Sequence, residues 1–465
     1  MWKRRPHHPN DLGNDRVWTL VWRLALPAMV AQLVNVLYSI VDRMYIGNIP
    51  DVGDVALAGA GVCGPIVTLL SSFATLIGLG GAPLMAIRMG EKNQKGAERI
   101  LSNCFLMLLV LSGILTVLFL LLRRPLLMAF GASANTFPYA NTYLTIYTAG
   151  TFFALLSSGL NYFITCQGYS TTAMATVLIG AVLNIALDPL FIFVFGMGVA
   201  GAALATVLSQ LASCLFVLVF LFRRTTPVRI TFGGYSFRIM RRVLAFGLSP
   251  FIIIATDSLL LIVLNAVLQT YGGPEQGDTL ITCATIVQSY MMLITMPMAG
   301  ITGGTQPILS FNYGAKQIAR IRQGVKWIVL FCLVFTTVMF LVSQALPQAF
   351  VRIFTDNPAY IDLSIWGIRV FTLAIIPLSL QYTFVDALTA LGITKVSVFL
   401  SLLRKTTFMA ATLVYPWLFE AKMAFYAEPT ADLLGTIVST TTFCLLFGRL
   451  MRKREAMPEG QALYS

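Results

Sequence analysis

The strongest constraint on this chain is the recurrence of long apolar stretches. About twelve follow one another, at 17–46, 55–87, 96–122, 138–165, 172–196, 199–222, 240–270, 279–311, 325–346, 360–390, 394–418 and 430–450. A helix rises ~1.5 Å per residue, so ~20 residues cross a ~30 Å hydrocarbon layer. Only 11% of the 465 residues are charged and 57% are hydrophobic, against about 25% charged in a soluble domain. The expected fold class is an all-α polytopic membrane protein with twelve transmembrane helices. Several stretches exceed the crossing length, so tilt or kinks are expected, with Pro27, Pro83, Pro250 and Pro307 as the places for them. The basic N-terminus and first apolar stretch lack a signal-peptide cleavage site, and read as a retained first helix.

The net charge of +13 invites a nucleic-acid reading, but the cations fall in short runs between apolar stretches, as the positive-inside rule expects. One set of alternate connections holds Lys3, Arg4, Arg5, Arg16, Arg23, Arg88, Lys92, Lys95, Arg99, Arg223, Arg224, Arg229, Arg238, Arg241, Arg242, Lys316, Arg320, Arg322, Lys326, Lys395, Arg449, Arg452, Lys453 and Arg454. The other set holds Arg123, Arg124, Arg352 and Lys422, and carries acids such as Asp51, Asp54, Glu275 and Asp278. This asymmetry predicts that both termini are cytoplasmic. The expected partner is the lipid bilayer, with no nucleic acid. The seven cysteines lie in or beside apolar stretches with no CxxC pair, and the two histidines, His7 and His8, sit in the polar tail. They suggest structural thiols rather than a disulfide framework or a histidine-based metal or catalytic centre.

The longest polar connection, 223–239, splits the chain into halves of six stretches, predicting an N-terminal lobe (1–222), a cytoplasmic linker (223–239) and a C-terminal lobe (240–465). The halves repeat. Pro27 precedes Pro250 by 223 residues, and Pro83–Pro307, Gly90–Gly314 and Gly168–Gly392 are each separated by 224. An even number of spans per half makes this a parallel repeat about an axis along the membrane normal, which leaves a cleft between two bundles.

Within the fifth stretch, Asn184 and Asp188 stand four residues apart and share a helix face. A carboxylate at mid-membrane costs about 2.5–3.5 kcal/mol on insertion scales, so it is expected to face a cavity or a partner. Counting residues from the helix ends places Asp42, Asn184, Asp188 and Thr206 in one layer of the outer half of the N-terminal lobe. Their convergence is an inference, because depth does not fix azimuth. Gln32, Asn35, Ser39 and Asp42 follow spacings of three, four and three along one helix face. For Gln32 and Ser39 a polar seam between helices explains as much as a cavity does. Two nearby carboxyls out of bulk water share a proton or a cation, and this set of hard oxygens suits Na⁺ as well as H⁺.

On these residues the chain resembles the multidrug and toxic compound extrusion (MATE) family, in particular its MepA-like bacterial branch. The segments that carry the likeness are LALPAMVAQLVNVLYSIVDRMYIGN, IGLGGAPLMAIRMGEKNQKGAERI, LNIALDPLFIFVFGMGVAGAALATVLSQ and GGTQPILSFNYGAKQIARIR. The resemblance implies two pseudo-symmetric six-helix lobes and multidrug efflux. Amphipathic or cationic drugs would be exchanged for inward Na⁺ or H⁺ by alternating access. It also implies a cation or proton site at Asp42, Asn184, Asp188 and Thr206 and a first-helix hinge at Pro27. The expected setting is the plasma (inner) membrane of a bacterium, as a monomer, with no cofactor beyond the coupling ion. A lipid-linked oligosaccharide flippase of the same superfamily is the alternative, followed by a membrane-embedded enzyme.

Some family branches place an acid pair in the C-terminal lobe. Asp257 and Asp386 could line the cleft or pair structurally. The repeat puts Asn265 or its neighbour opposite Asp42, so the two lobes are expected to be inequivalent. Met292, with Met291, Met296 and Met298, could form an adaptable drug surface or ordinary packing. Arg404 and Lys405 lean toward a structural role. Gly78, Gly80 and Gly81, matched by Gly303 and Gly304, suggest close helix packing; no strand precedes them and no Lys-Ser/Thr follows, which argues against a phosphate loop.

Overall fold

The computed structural model describes residues 10–50, 52–130, 132, 135–353 and 357–456. The cations before position 10, His7, His8 and Asp51 lie outside the described residues, as do the side chains of Asp54, Glu275 and Asp278. Among the described residues the regular structure is helical. The helices are α1 (Val17–Gly47), α2 (Gly53–Gly90), α3 (Gln94–Ala129), α4 (Phe137–Ala149), α5 (Thr151–Cys166), α6 (Ser170–Pro189), α7 (Val199–Phe222), α8 (Phe237–Gly314), α9 (Ile318–Ala345), α10 (Pro347–Val351), α11 (Pro358–Phe371), α12 (Ile375–Ala390), α13 (Thr394–Leu418) and α14 (Ala427–Glu455). Ten segments are long and apolar enough to cross a membrane, and two bent pairs raise the number to twelve. α8 supplies two spans on either side of Gly273, whose φ of 65° breaks the helix. α11 and α12 join through a 3₁₀ turn into one span, Tyr360–Ala390. The last span begins at Ala421, earlier than its hydropathy suggested, because a 3₁₀ segment (Ala421–Tyr426) leads into α14.

Proline bends the chain at one expected place: the stretches before and after Ser249, up to Leu248 and from Pro250, meet at 44°. α1 runs through Pro27 as one helix in this conformation. The larger bend, 57° between α4 and α5, falls at Gly150 without a proline. Any β-carbon there would lie 2.4 Å from Val207 Cγ2, so close approach of α7 selects glycine at that corner.

The duplication is visible in the backbone. Lys92 and Lys316 adopt φ of 58° and 57°, and Gly168 and Gly392 adopt 89° and 84°; both pairs are 224 residues apart. The lobes meet reciprocally at the face that carries the chain ends. A β-carbon at Gly90 would lie 2.0 Å from Phe311 O, and one at Gly314 would lie 2.1 Å from Ile87 O. Nearer the centre, Gly247 lies against Leu76 O and Gly80 against Val243 O. Of the expected glycine cluster, Gly80 serves this backbone packing of α2 on α8, whereas Gly78 and Gly81 lie against Tyr162, Cys104 and Phe163, Gly304 lies against Ala28 of α1, and a β-carbon at Gly303 would meet nothing within 4 Å. The close approaches at Gly80, Gly90, Gly247 and Gly314 shut the cleft on this side. A cavity of about 20 Å³ remains at the lobe interface, lined by Leu79, Pro83, Tyr162, Gly303, Gln306 and Pro307.

Two segments read as polar connections are docked. The 223–239 linker buries Val228 and Ile230. Val228 N donates to Gln167 Oε1 at 2.8 Å, and Ser236 N donates to Asn103 Oδ1 at 2.9 Å. Before α1, Asn10 Nδ2 donates to Gly168 O at 2.7 Å, while Leu12 O accepts from Asn312 Nδ2 and Arg320 Nη2 at 3.0 Å each. This strap links the two halves. α1 is likewise shared: Leu20, Val21, Leu24 and Ala25 belong to a core built with α8, α9, α12, α13 and α14, whereas Ile46 belongs to the core of the N-terminal half.

Candidate cation site and cleft walls

Asp188 is followed by Pro189, which has no N–H to continue the α-helical ladder. The chain passes into a π-helical segment, Leu190–Val194, a departure that often accompanies functional sites. Gly196 and Gly198, with φ of 64° and 55°, then reverse the chain within a few residues. At Gly201 a β-carbon would lie 2.8 Å from Phe191 O, so its absence lets the start of α7 lie on the π segment. This turn sets Thr206 opposite Asn184. Further along the same seam, Ser213 Oγ donates to Thr176 O at 3.0 Å.

The four oxygen-bearing residues come together. Asn184 Nδ2 lies 3.3 Å from both Asp188 Oδ1 and Thr206 Oγ1, and Thr206 Oγ1 donates to Ala202 O at 3.0 Å. Asn184, Asp188 and Thr206 are 2%, 0% and 8% exposed. From α1, Asp42 meets Asp188 carboxyl to carboxyl at hydrogen-bonding distance. With both acids ionised, Asp42 Oδ1, Asp188 Oδ2 and Asn184 Oδ1 are buried acceptors with no donor. Unpaired buried polar atoms are costly. Two carboxylates in contact are favourable only with a proton or cation between them. Among the described residues no group of three or more His, Cys, Asp or Glu could hold a metal ion. Any ion here would rely on two carboxylates with amide and hydroxyl oxygens, a hard-ligand set.

A tyrosine shell around the site was not anticipated. Tyr38 and Tyr143 lie within electrostatic reach of Asp42. Tyr143 stacks on Tyr147 with ring centroids 6.2 Å apart, and Tyr147 Oη accepts from Gln210 Nε2 at 3.4 Å. The signal was present as spacing: Tyr38 is one turn before Asp42, and Gln210 one turn after Thr206.

The remaining candidates separate. Asn35 Nδ2 donates to Gln32 Oε1 at 3.4 Å, and exposed Ser39 donates to Asn35 O at 3.0 Å. Gln32 packs where α1 meets Gly300 of α8. Its stripe thus runs from the lobe interface to Asp42. Asp386 is hydrogen-bonded by Thr302 and Gln306 of α8, and Gln306 lines the interface cavity. Asp257 pairs with Lys405, whose side chain is 5% exposed, while its own is 62% exposed. Arg404 Nη2 lies 2.6 Å from Glu428 and 2.7 Å from Asp432. Asp257 and Asp386 thus each have partners of their own, and Arg404 and Lys405 are both held by acids. Asn265 is half-buried on α8. Met292 is 46% exposed on α8, about three helical turns before Gly303. Met291 and Met298 are buried.

Two duplicated helical lobes, sealed together on one face and enclosing a buried pocket of carboxyl, amide and hydroxyl groups in one of them, form the framework of a membrane carrier. The chain belongs to the MatE family, whose model matches residues 27–190 and 254–410, one segment in each half. It is similar to the multidrug export protein MepA of Staphylococcus haemolyticus, at 24% identity over 378 residues, 81% of this chain and 82% of that protein. The MepA of Staphylococcus aureus strain N315 is 22% identical over 446 residues, covering 96% and 97%. A crystal structure of MATE in complex with MaD3S has a TM-score of 0.89 at 21% identity, covering 97% of this chain and all (100%) of that one. An outward-facing multidrug resistance MATE family transporter of the MOP superfamily gives a TM-score of 0.88 at 21% identity, covering 95% and 98%.

Proposed function

We propose that this protein is a secondary active multidrug exporter that exchanges amphipathic, cationic compounds for inward Na⁺ or H⁺ by alternating access. The observation that carries this reading is the trio of donorless buried oxygens on Asp42, Asp188 and Asn184. A site that is unfavourable when empty and ionised takes up one positive charge. Its occupancy changes the charge between α1 and α6, and α1 bridges the two lobes. The multidrug export named in the staphylococcal relatives supports the drug as cargo. In this reading the exposed Met292 and Met296 would supply soft surface for varied apolar groups. The bacterial inner membrane, cytoplasmic termini and a monomeric working unit belong to the same proposal, with the basic loops setting the orientation. The lobes 1–222 and 240–465, joined by 223–239, are its moving bodies, with the first turns of α1 packed on the C-terminal one in this conformation. A flippase for anionic headgroups would need unpaired cations on the cleft wall, whereas Arg404 and Lys405 are held by acids.

Proteoliposomes with ΔpH and ΔNa⁺ imposed independently test the reading. Efflux of a fluorescent organic cation should follow one or both gradients. Asp42→Asn and Asp188→Asn should each abolish gradient-driven efflux while insertion and folding persist. Wild-type efflux from either variant would remove the site from the mechanism.

A further inference from the structure

At the face bearing the chain ends, α1 and α9 flank a groove of about 520 Å³ lined in part by Asn14, Arg16, Trp18, Arg320, Lys326 and Trp327. Its charged lining is wholly cationic. Arg16 and Lys326 are exposed. Arg320 is held in place, donating to Asn312 Oδ1, Leu12 O and Asp15 O at 3.0, 3.0 and 2.8 Å. Asp11 and Asp15 lie within electrostatic reach of Arg320 and offset part of its charge, leaving Arg16 and Lys326 as the main cations of the groove. Along the strap Asp11 accepts from Gly13 and Asn14, and Asp15 accepts from Asp11 N and lies 3.9 Å from Arg23. An aromatic stripe runs from the groove into the membrane. Trp18 is 5.8 Å from Trp327 and 6.0 Å from Trp22, and Trp22 is 4.6 Å from Phe331, between ring centroids. Trp18 and Trp22 are 47% and 44% exposed.

Cations at the water boundary above tryptophans at the headgroup level match a phospholipid from end to end. Tryptophan prefers that depth, and basic pockets between spanning helices recognise anionic headgroups. We infer that this groove seats an anionic phospholipid. Its phosphate lies among Arg16, Arg320 and Lys326, and its acyl chains run along Trp18, Trp22 and Phe331. A zwitterionic headgroup would bring its own cation against three others. The lipid also braces the junction at which the first turns of α1 join the core shared with α9.

Three of the chain's six tryptophans belong to this stripe, so their fluorescence reads its occupancy. The full-length protein is reconstituted in phosphatidylcholine vesicles doped with brominated phosphatidylglycerol or brominated phosphatidylcholine, and tryptophan quenching is followed. Brominated phosphatidylglycerol should quench at a mole fraction lower by about fivefold or more, since each cation near the surface contributes about that factor. Arg16→Gln/Lys326→Gln should bring the two lipids to within about twofold. Trp18→Phe/Trp22→Phe/Trp327→Phe should remove the headgroup-dependent part. Equal quenching by both lipids, or a preference that survives either variant, overturns the inference. Excess inorganic phosphate, matched in ionic strength by sodium chloride, should leave quenching unchanged. Relief of quenching by phosphate but not by chloride would mean a site for free phosphate and would also overturn it.

Discussion

Arg454 Nη2 lies 3.6 Å from Glu91 Oε1, joining the last helix of the chain to the turn between α2 and α3. Arg454 is 1% exposed and donates to Tyr313 O and Gly314 O at 2.9 and 2.8 Å. Glu91 also pairs with Arg88 at 2.9 Å. One guanidinium therefore satisfies the carbonyls at the end of α8 and reaches across the repeat to an acid. The contact lies beside the Gly90 and Gly314 approach that shuts this face.

Arg454→Met should loosen that closure. It removes the donor from two buried carbonyls, each a loss of about 1–3 kcal/mol. Thermal unfolding in detergent should fall, and maleimide labelling of Ile87→Cys, in a background without the exposed Cys444, should accelerate. Unchanged labelling would show that glycine packing alone holds the face shut.

Gly247→Ala tests the packing itself. Its β-carbon would lie 1.7 Å from Leu76 O, whereas one at Gly303 would meet nothing within 4 Å. Overpacking against backbone costs about 1–3 kcal/mol. Gly247→Ala should therefore widen the α2–α8 separation measured between spin labels, and Gly303→Ala should not.

Thr206→Val removes the acceptor for Asn184 Nδ2 with little change in volume. A lost buried hydrogen bond of about 1–2 kcal/mol predicts roughly tenfold weaker dependence on the coupling ion. Half-saturation of gradient-driven efflux should shift by that factor, and Thr206→Ser should restore it.

Asp257→Asn removes the carboxylate that pairs with the buried Lys405. Removing one partner of such a pair costs about 3–5 kcal/mol, reduced here because Asp257 is open on one side. Asp257→Asn/Lys405→Met should recover much of the loss. A double-mutant cycle in chemical unfolding checks this, and additive losses would show that the pair is not coupled.

Pro27→Ala concerns the hinge. Residues up to Ala25 sit in the core shared with α9, while Ile46 sits with the N-terminal half, so Pro27 lies near the passage between two bodies. Restoring the N–H should stiffen α1. Transport should then fall several-fold more than drug affinity measured by equilibrium binding; equal losses would argue against a hinge.

Much of this was legible from spacing. Membrane depth follows from counting along helices of known rise, so Asp42, Asn184, Asp188 and Thr206 could be placed in one layer without a structure. The duplication followed from matched glycines and prolines, and it recurs as matched φ angles. The tyrosine shell was legible in principle for Tyr38 and Gln210, one turn from named residues. It was not legible for Tyr143 and Tyr147, whose helix could have presented any face. The roles of Asp257 and Asp386 stayed open in the sequence because their partners, Lys405 for one and Thr302 and Gln306 for the other, are distant in sequence. The bend at Gly150 had no proline to mark it.

What belongs in the membrane, at what depth, and in how many repeated parts can be read from the order of residues along the chain. These follow from the hydrophobic cost of exposed polar groups and from the fixed helical rise. Azimuth is fixed by packing alone: which acids face each other, which are paired with cations, and how Arg454 and the N-terminal strap sit across one face. Helix rotation is set by side-chain packing and by the glycines that let backbones touch, and those contacts arise between residues hundreds of positions apart.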